Sequence, residues 1–181
     1  MRTQAIILKK IIIKEYDELV VCYTKDAGKQ TFRAKSVRRP TSKQASHLDI
    51  LNFVDFSLVY GLNASNGISA SHPIITSAYT LNSWLNLKSN LSSMAGAYFL
   101  LECFDKLIFD GEADTKLWDF FLQKLERYDI LAKNSDINWT QEITLDHQEF
   151  VKIMGYEPNT NVQILAGKQF KSLQFAKEVI R

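Results

Sequence analysis

The sequence predicts an α+β protein in which a small, closed five-stranded β-barrel is followed by an α-helical domain. Up to about residue 78, segments rich in β-branched and aromatic residues alternate with turn residues. From Tyr79 onward, the apolar residues instead recur with helical periodicity. A long polar connection between the third and fourth predicted strands is typical of a small closed barrel. We therefore predict a barrel domain over residues 1–78 and a helical domain over residues 79–181.

The first strand is predicted over Gln4–Lys14, where two isoleucine-rich runs flank Lys9 and Lys10. We expect both runs to be buried, with a bend or a sheet edge at the lysine pair. A β-hairpin follows over residues 17–39. Its turn is predicted at residues 25–28, because Gly28 is free to adopt a positive φ.

The second strand of this hairpin is predicted over Lys29–Val37. Side chains alternate along a strand, so Phe32 and Ala34 share one face while Arg33 and Lys35 share the other. The first face can join a core, and the second presents cations that suit contact with phosphate. The pattern alone is equally compatible with a solvated strand face.

Two more strands complete the predicted barrel. The fourth is Ile50–Tyr60, and its even-numbered residues form the better core face. A turn is predicted over Gly61–Gly67. The fifth strand extends from Ile68 to about Ala78, although Pro73 weakens it.

The second half of the chain is predicted to be helical. We expect Asn90 or Ser92 to cap the first helix, and Gly155 to end the third. A looser stretch is expected between residues 131 and 141. The first predicted helix is Leu91–Phe109. The second starts at Asp114 or Thr115 and has an apolar stripe at Leu117, Phe121, Leu125 and Tyr128. The third is Thr144–Met154, and the tail Gln169–Arg181 forms the last.

Charge is distributed unevenly along the chain. Residues 1–76 hold 11 Lys and Arg against 6 Asp and Glu, a net charge of +5, whereas the remaining residues hold 11 basic and 14 acidic residues, a net charge of −3. A basic N-terminal module is the pattern expected of a protein that binds a polyanion. The candidate phosphate-contacting residues are Arg33, Lys35, Arg38, Arg39 and Lys43, helped by Lys9, Lys10 and Lys14.

Catalytic and metal chemistry have little support in the sequence. It contains no phosphate-binding glycine loop, dinucleotide fingerprint or nucleophile elbow, and its three histidines do not lie at metal-ligand spacing from either cysteine. We therefore predict a non-enzymatic binding protein with no catalytic residues, no cofactor and no zinc. Cys22 and Cys103 lie in apolar patterns and are expected to be buried free thiols. The lack of a signal-peptide layout predicts a cytoplasmic location.

Residues 3–43, TQAIILKKIIIKEYDELVVCYTKDAGKQTFRAKSVRRPTSK, resemble the opening of the bacterial recombination-mediator family RecO. The family's Q-A-I-[IV]-L strand matches Gln4–Leu8, and its next strand matches Glu15 and Asp17–Val20. The F/Y-T-x-[DE]-x-G-K turn matches Tyr23–Lys29, and A-K-G-x-R-[RK]-x-x-S matches Ala34–Ser42. Looser similarity continues into the second half, at Tyr98–Glu102, Leu117–Phe121 and Phe150–Pro158.

This resemblance implies an oligonucleotide-binding (OB) barrel and a helical domain. It also implies a protein that binds single- and double-stranded DNA, promotes annealing, and cooperates with RecR, RecF and the single-stranded-DNA-binding protein to load RecA. An acidic, aromatic-ended protein tail would then contact the helical domain, where Phe121 and Tyr128 would line a groove beside Lys124 and Arg127. A buried aromatic stripe with ordinary surface cations is the competing interpretation.

The sequence departs from the family pattern at two places. Ser36 stands where the family usually has glycine, and no cysteine follows Pro158, where many relatives have a four-cysteine zinc element. Two other functions remain open at this point. An OB-fold module that binds RNA, or an adaptor whose basic face meets an acidic protein, would fit the same residues.

Overall fold

The computed structural model describes residues 1–60 and 72–180. They form two compact units. The barrel unit comprises Met1–Ser83 together with Asp110–Ala113, and the helical unit comprises Trp84–Phe109 together with Asp114–Arg181. The predicted turn Gly61–Gly67 and the first residues of the predicted fifth strand lie outside the described residues.

The barrel unit contains five strands: β1 (Arg2–Ile12), β2 (Glu18–Thr24), β3 (Gly28–Ala34), β4 (Phe53–Val59) and β5 (Ile74–Asn82). They close into a barrel in the order β1-β2-β3-β5-β4, and β4 pairs back with β1. All neighbouring strands are antiparallel except β3 and β5, which are parallel. This is the five-stranded Greek-key barrel of the OB-fold, so the predicted fold class is confirmed.

The barrel core is built from alternate residues of each strand, as the period of two requires. Phe32 packs edge-on against Phe56, with ring centroids 5.8 Å apart. The connection between β3 and β4 adds Val37 and Leu48 to the same cluster. The core faces predicted for β3 and β4 are therefore confirmed, but β4 begins at Phe53 rather than Ile50, and Tyr60 lies beyond the strand and is exposed.

The predicted hairpin is also confirmed. Residues 25–27 form its turn, and Gly28 has a φ of +63°. Thr24 closes the turn, since its hydroxyl donates to the Gly28 carbonyl at 2.9 Å and accepts the Ala27 N–H at 3.1 Å.

The course of β1 was predicted only in part. Its pairing with β2 shifts register between Ile7 and Lys9, which is the expected bend. The second isoleucine run, however, is exposed: Ile12 has 61% of its surface accessible. From Lys9 onward β1 pairs only with β2, so its end projects beyond the closed part of the barrel.

The helical unit contains α1 (Leu85–Ser89), α2 (Leu91–Leu107), α3 (Thr115–Leu131), α4 (Trp139–Ile153), α5 (Val162–Ala166) and α6 (Lys171–Val179). The Asn90 side chain caps α2 and that of Asp114 caps α3, as predicted. Gly155 follows α4 with a φ of +83°. None of these helices combines the length and the apolar character needed to cross a membrane.

Several helical boundaries differ from the predictions. The helix α2 ends at Leu107, two residues before the predicted Phe109, and α6 begins at Lys171, two residues after the predicted Gln169. The helix α4 begins at Trp139, five residues before the predicted start, because Asn138 caps it and Trp139 and Ile143 form a buried stripe. The short helices α1 and α5 were not predicted, since five residues are too few to show a helical period.

Both cysteines are buried and free, as expected, and burial raises the pKa of each thiol.

Candidate nucleic-acid interface

Asp17 joins the β1–β2 connection to the chain that leaves β3. Its carboxylate accepts the Ser36 N–H at 2.7 Å and a guanidinium N–H of Arg33 at 2.7 Å. The Ser36 N–H and then Arg33 hold the pKa of the Asp17 carboxyl below its usual value. The Asp17 carbonyl accepts the backbone N–H groups of Ile13 and Lys14. The loop before β2 and the turn after β3 are thus fixed to each other.

The strand β3 ends three residues earlier than predicted. Ser36 has a φ of +53°, a left-handed conformation that does not continue a strand. Arg33 lies on the outer face of β3 as predicted, but Lys35 belongs to the following turn. The prediction that Arg33 and Lys35 share a strand face is therefore wrong.

Arg38 and Arg39 extend from the same turn and are held against the β1–β2 connection. Arg38 donates from its backbone N–H to the Tyr16 carbonyl at 3.1 Å and from its guanidinium to the Glu15 carbonyl at 2.9 Å. Its guanidinium also lies 3.8 Å from a carboxylate oxygen of Glu18. The Arg39 guanidinium lies over the Tyr16 ring, 5.2 Å from its centroid.

Lys14 and Lys35 complete this group of cations. Both are exposed, and neither makes a salt bridge within residues 1–60 and 72–180. We call Lys14, Arg33, Lys35, Arg38 and Arg39 the basic rim. Its acidic neighbours contact Arg33 and Arg38, so Lys14, Lys35 and Arg39 retain the most available charge.

The three remaining predicted cations lie elsewhere on the barrel unit. Lys9 and Lys10 point to opposite faces of β1, and Lys10 lies 3.3 Å from Asp49 in an ion pair. Lys43 is exposed on the β3–β4 connection. The structure therefore brings five of the eight predicted residues together and leaves three apart.

Exposed apolar residues beside the basic rim were missed at the level of sequence. Ile11, Ile12, Ile13 and Tyr16 are all exposed at the end of the β1–β2 hairpin. An isoleucine run normally indicates burial. The sequence did contain one contrary signal, because Tyr16 is the only uncharged residue from Lys14 to Glu18.

Two of the four residues predicted for a partner site on the helical unit are not at the surface. Phe121 and Tyr128 are fully buried, so neither lines a surface groove. The Phe121 ring stacks on Phe104 with centroids 4.1 Å apart, which places it in the core of the unit. The aromatic stripe of α3 thus packs in the core, and of the four residues predicted for the partner site only Lys124 and Arg127 reach the surface.

Lys124 and Arg127 are both paired with acids. The Lys124 ammonium lies 2.7 Å from Asp146 and 2.6 Å from Glu149, and Arg127 forms two hydrogen bonds of 2.9 Å to Glu142. Burial alone would lower the pKa of Lys124, but the bonds to both carboxylates outweigh it and raise the pKa. Burial raises the pKa of Asp146, and the bonds from Lys124 and Tyr128 offset this only in part.

These residues line a surface cavity of about 520 Å³, together with Lys152, Leu145 and Pro158. Within the described ranges, no three His, Cys, Asp or Glu side chains lie close enough together to hold a metal ion.

Comparison with known proteins identifies related sequences. Residues 1–72 match the family described as "Recombination protein O N terminal". The DNA repair protein RecO of Dehalococcoides mccartyi is 31% identical over 128 residues, which cover 71% of this chain and 47% of that protein. The DNA repair protein RecO of Acetivibrio thermocellus is 22% identical over 177 residues, or 97% of this chain and 66% of that protein. The chain thus spans about half to two thirds of these curated relatives.

Proposed function

This chain belongs to the RecO family, and from that membership we propose that it is a non-enzymatic DNA repair factor that binds single- and double-stranded DNA through the basic rim. The observation that most supports this role is the arrangement of Arg38 and Arg39. Both side chains are held at the barrel surface by hydrogen bonds or by an aromatic ring, so little conformational freedom is lost when they meet a phosphate.

The site lies where OB-folds commonly bind ligands. In such barrels the loop between strands 1 and 2 contributes to nucleic-acid binding, and here that loop contains Lys14 and Tyr16. Arginine is suited to phosphate because its planar guanidinium presents paired N–H donors. Phosphate contacts of this kind fix the position of the nucleic acid without reading its sequence.

Members of the rim contribute unequally to the proposed site. Arg33 is largely neutralised by Asp17 at 2.7 Å, so its main role is to hold the loop. Lys14, Lys35, Arg38 and Arg39 supply the principal phosphate contacts. Lys43, Lys9 and Lys10 are not part of the rim and add a weaker, longer-range attraction.

Family membership also leads us to propose annealing of complementary strands and cooperation with RecR, RecF, RecA and the single-stranded-DNA-binding protein. We further propose that Lys124 and Arg127 attract an acidic protein tail to the helical unit. Arg127 is the more accessible of the two, with half of its side chain exposed. An aromatic residue of such a tail would need a slot other than Phe121 and Tyr128.

The proposal is tested by the double variant Arg38→Ala with Arg39→Ala. We expect weaker binding to single-stranded and duplex DNA, because two phosphate contacts are lost. Counterion release predicts that the slope of log affinity against log salt decreases by about 0.7–0.9 per lost contact. Fluorescence anisotropy at several salt concentrations measures both quantities. Surface ion pairs contribute at most about 1 kcal/mol, so the fold should persist.

The matched control is Lys133→Ala with Lys168→Ala, which removes two exposed cations from the helical unit. It should leave affinity and salt slope unchanged. The proposed site would be excluded if the Arg38 and Arg39 variant bound DNA with the wild-type slope. An RNA strand of equal length that competes better than DNA would favour an RNA-binding module. The absence of salt-dependent binding to either would favour a protein adaptor.

A further inference from the structure

The strand β5 presents an aromatic ring on the outside of the barrel. Ala78 faces the core, so its neighbour Tyr79 points outward, and 68% of its surface is exposed. Leu81, near the end of the same strand, is also exposed. No residue of the basic rim lies on β5.

His47 supports the Tyr79 ring from the β3–β4 connection. The two rings are stacked, with an interplanar angle of 22° and centroids 6.0 Å apart. His47 Nδ1 lies 3.3 Å from the Thr80 backbone nitrogen, which can only donate, and 2.8 Å from the Thr80 hydroxyl. Nδ1 therefore accepts the Thr80 N–H, and these two contacts fix the orientation of the imidazole.

The connection that contains His47 is itself attached to the barrel. Gln44 donates from its side-chain amide to the Thr76 carbonyl of β5 at 2.8 Å. Asn52, which is buried at the end of the connection, donates to the carbonyls of Ser46 and His47 at 3.0 and 3.1 Å, and its own carbonyl accepts the N–H of Ile7 in β1 at 3.1 Å. Both rings are consequently positioned in advance by the barrel, while one face of Tyr79 remains open to solvent.

Charge around this ring suits a polyanion. Lys43 lies on the same connection, four residues before His47, and is exposed without a salt bridge among the described residues. Asp55 lies opposite Tyr79 where β4 pairs with β5, and its carboxylate is neutralised by Arg2 at a distance of 2.6 Å. The connection that positions His47 therefore also carries an exposed cation, and the paired strand presents no uncompensated carboxylate opposite Tyr79.

We propose that Tyr79, backed by His47, is a stacking platform for an unpaired base of single-stranded DNA. This inference rests on the DNA-binding function proposed above and adds a second contact, of different chemistry, to the same barrel. Stacking on an aromatic ring is available to every base, but only when that base is not already stacked in a duplex. The platform thus gives the barrel a preference for single strands that phosphate contacts alone do not supply. His47 is a positioning residue in this arrangement.

The test measures binding of the full chain to oligothymidine, to an abasic strand of the same length, and to a duplex. We expect Tyr79→Ala to weaken oligothymidine binding about fivefold or more, the loss that corresponds to one stacked base. Because the ring is uncharged, the salt slope should not change. Binding to the abasic strand and to the duplex should match wild type, and Tyr79→Phe should retain wild-type affinity for oligothymidine.

Tyr156→Ala removes an exposed tyrosine of the helical unit and should leave oligothymidine binding unchanged. Because Tyr79 is largely exposed, its replacement should also leave the melting temperature unchanged. The inference is overturned if Tyr79→Ala binds oligothymidine as tightly as wild type, or if it weakens binding to the abasic strand equally. A wild-type protein that binds none of the three probes would refute the proposed DNA-binding function itself, and this inference with it.

Discussion

Ser36 adopts a left-handed conformation that a residue with a Cβ atom enters at a cost of roughly 1–2 kcal/mol. The hydrogen bond from its N–H to Asp17 compensates for part of this cost. That bond also fixes the turn from which Lys35, Arg38 and Arg39 extend. A strained residue at this position therefore determines where the cations of the basic rim lie.

We expect Ser36→Gly to stabilise the protein by about 1 kcal/mol, because glycine removes the steric cost of the positive φ and retains the N–H that Asp17 accepts. Urea unfolding at neutral pH measures the free energy. The matched control is Ser36→Ala, which keeps the Cβ atom and should bring no gain. A glycine variant no more stable than the alanine variant would contradict this explanation.

For individual residues, the sequence indicated which positions are unusual but not which side chains they contact. The RecO-like pattern drew attention to Ser36 as a departure from glycine, and the structure shows the positive φ that glycine would favour. The acceptor, Asp17, lies 19 residues earlier, and no local pattern indicates that pairing. The ion pair of Arg33 with the same carboxylate was unpredictable for the same reason.

Among the secondary-structure elements, the β2–β3 hairpin depends most clearly on a single residue. A Cβ atom on Gly28 would lie 1.9 Å from the carbonyl oxygen of Glu112, in addition to the strain of a φ of +63°. Residues 110–113 pass directly over the turn, and the Gly111 N–H donates to the Lys29 carbonyl at 2.9 Å. Glycine is thus required twice, for its conformation and for close packing.

Gly28→Ala should destabilise the protein by at least about 2 kcal/mol, since backbone atoms must move to accept the new methyl group. Gly155→Ala provides the comparison, because Gly155 has a φ of +83° with no atom within 4 Å of the added Cβ. That variant should show the conformational cost alone, about 1–2 kcal/mol. Equal losses measured by thermal or urea unfolding would mean that the contact with Glu112 is unimportant.

Element types were predictable where the pattern was long and regular. The alternation in β3 and β4 identified their core faces, and the caps Asn90 and Asp114 marked the starts of α2 and α3. Element ends depended on tertiary contacts. The strand β5 continues to Asn82 because it pairs with β4 as far as Phe53, which no local feature indicates.

For the molecule as a whole, each unit contains a carboxylate whose pKa is lowered by the native structure. In the barrel unit this is Asp17. In the helical unit it is Glu102. Burial alone would raise the pKa of this carboxyl, but hydrogen bonds from Lys106 and from Lys171 and Ser172 at the start of α6 outweigh burial and lower the pKa. Glu102 thereby replaces the side-chain cap that α6 lacks.

A lowered folded-state pKa means that the ionised carboxylate is favoured by folding. Its stabilisation is complete above the unfolded pKa, about 3.9 for Asp and 4.3 for Glu, and is lost as pH falls through the lower folded value. We expect Asp17→Asn and Glu102→Gln each to be less stable than wild type at pH 7, with a difference that shrinks below about pH 4. Urea unfolding across this range is the measurement. Differences that stay constant with pH would contradict the assignment.

The division of charge between the two halves was visible in the sequence, and the basic rim lies on the basic half, as expected. What the sequence could not indicate is that residues 110–113, which separate α2 from α3, belong to the barrel unit. These four residues resemble an ordinary helix connection. Their place is set by contacts with Gly28 and Lys29, more than 80 positions earlier.

The barrel unit is therefore discontinuous in the chain, and this affects how it forms during synthesis. Proteins emerge from the ribosome N-terminus first, and domains generally fold as units. All five strands have been synthesised by Asn82, but the segment that covers the Gly28 turn ends only at Ala113. A nascent chain that has reached the end of β5 still lacks this cover, and the barrel unit becomes complete only after the whole of α2 has been translated.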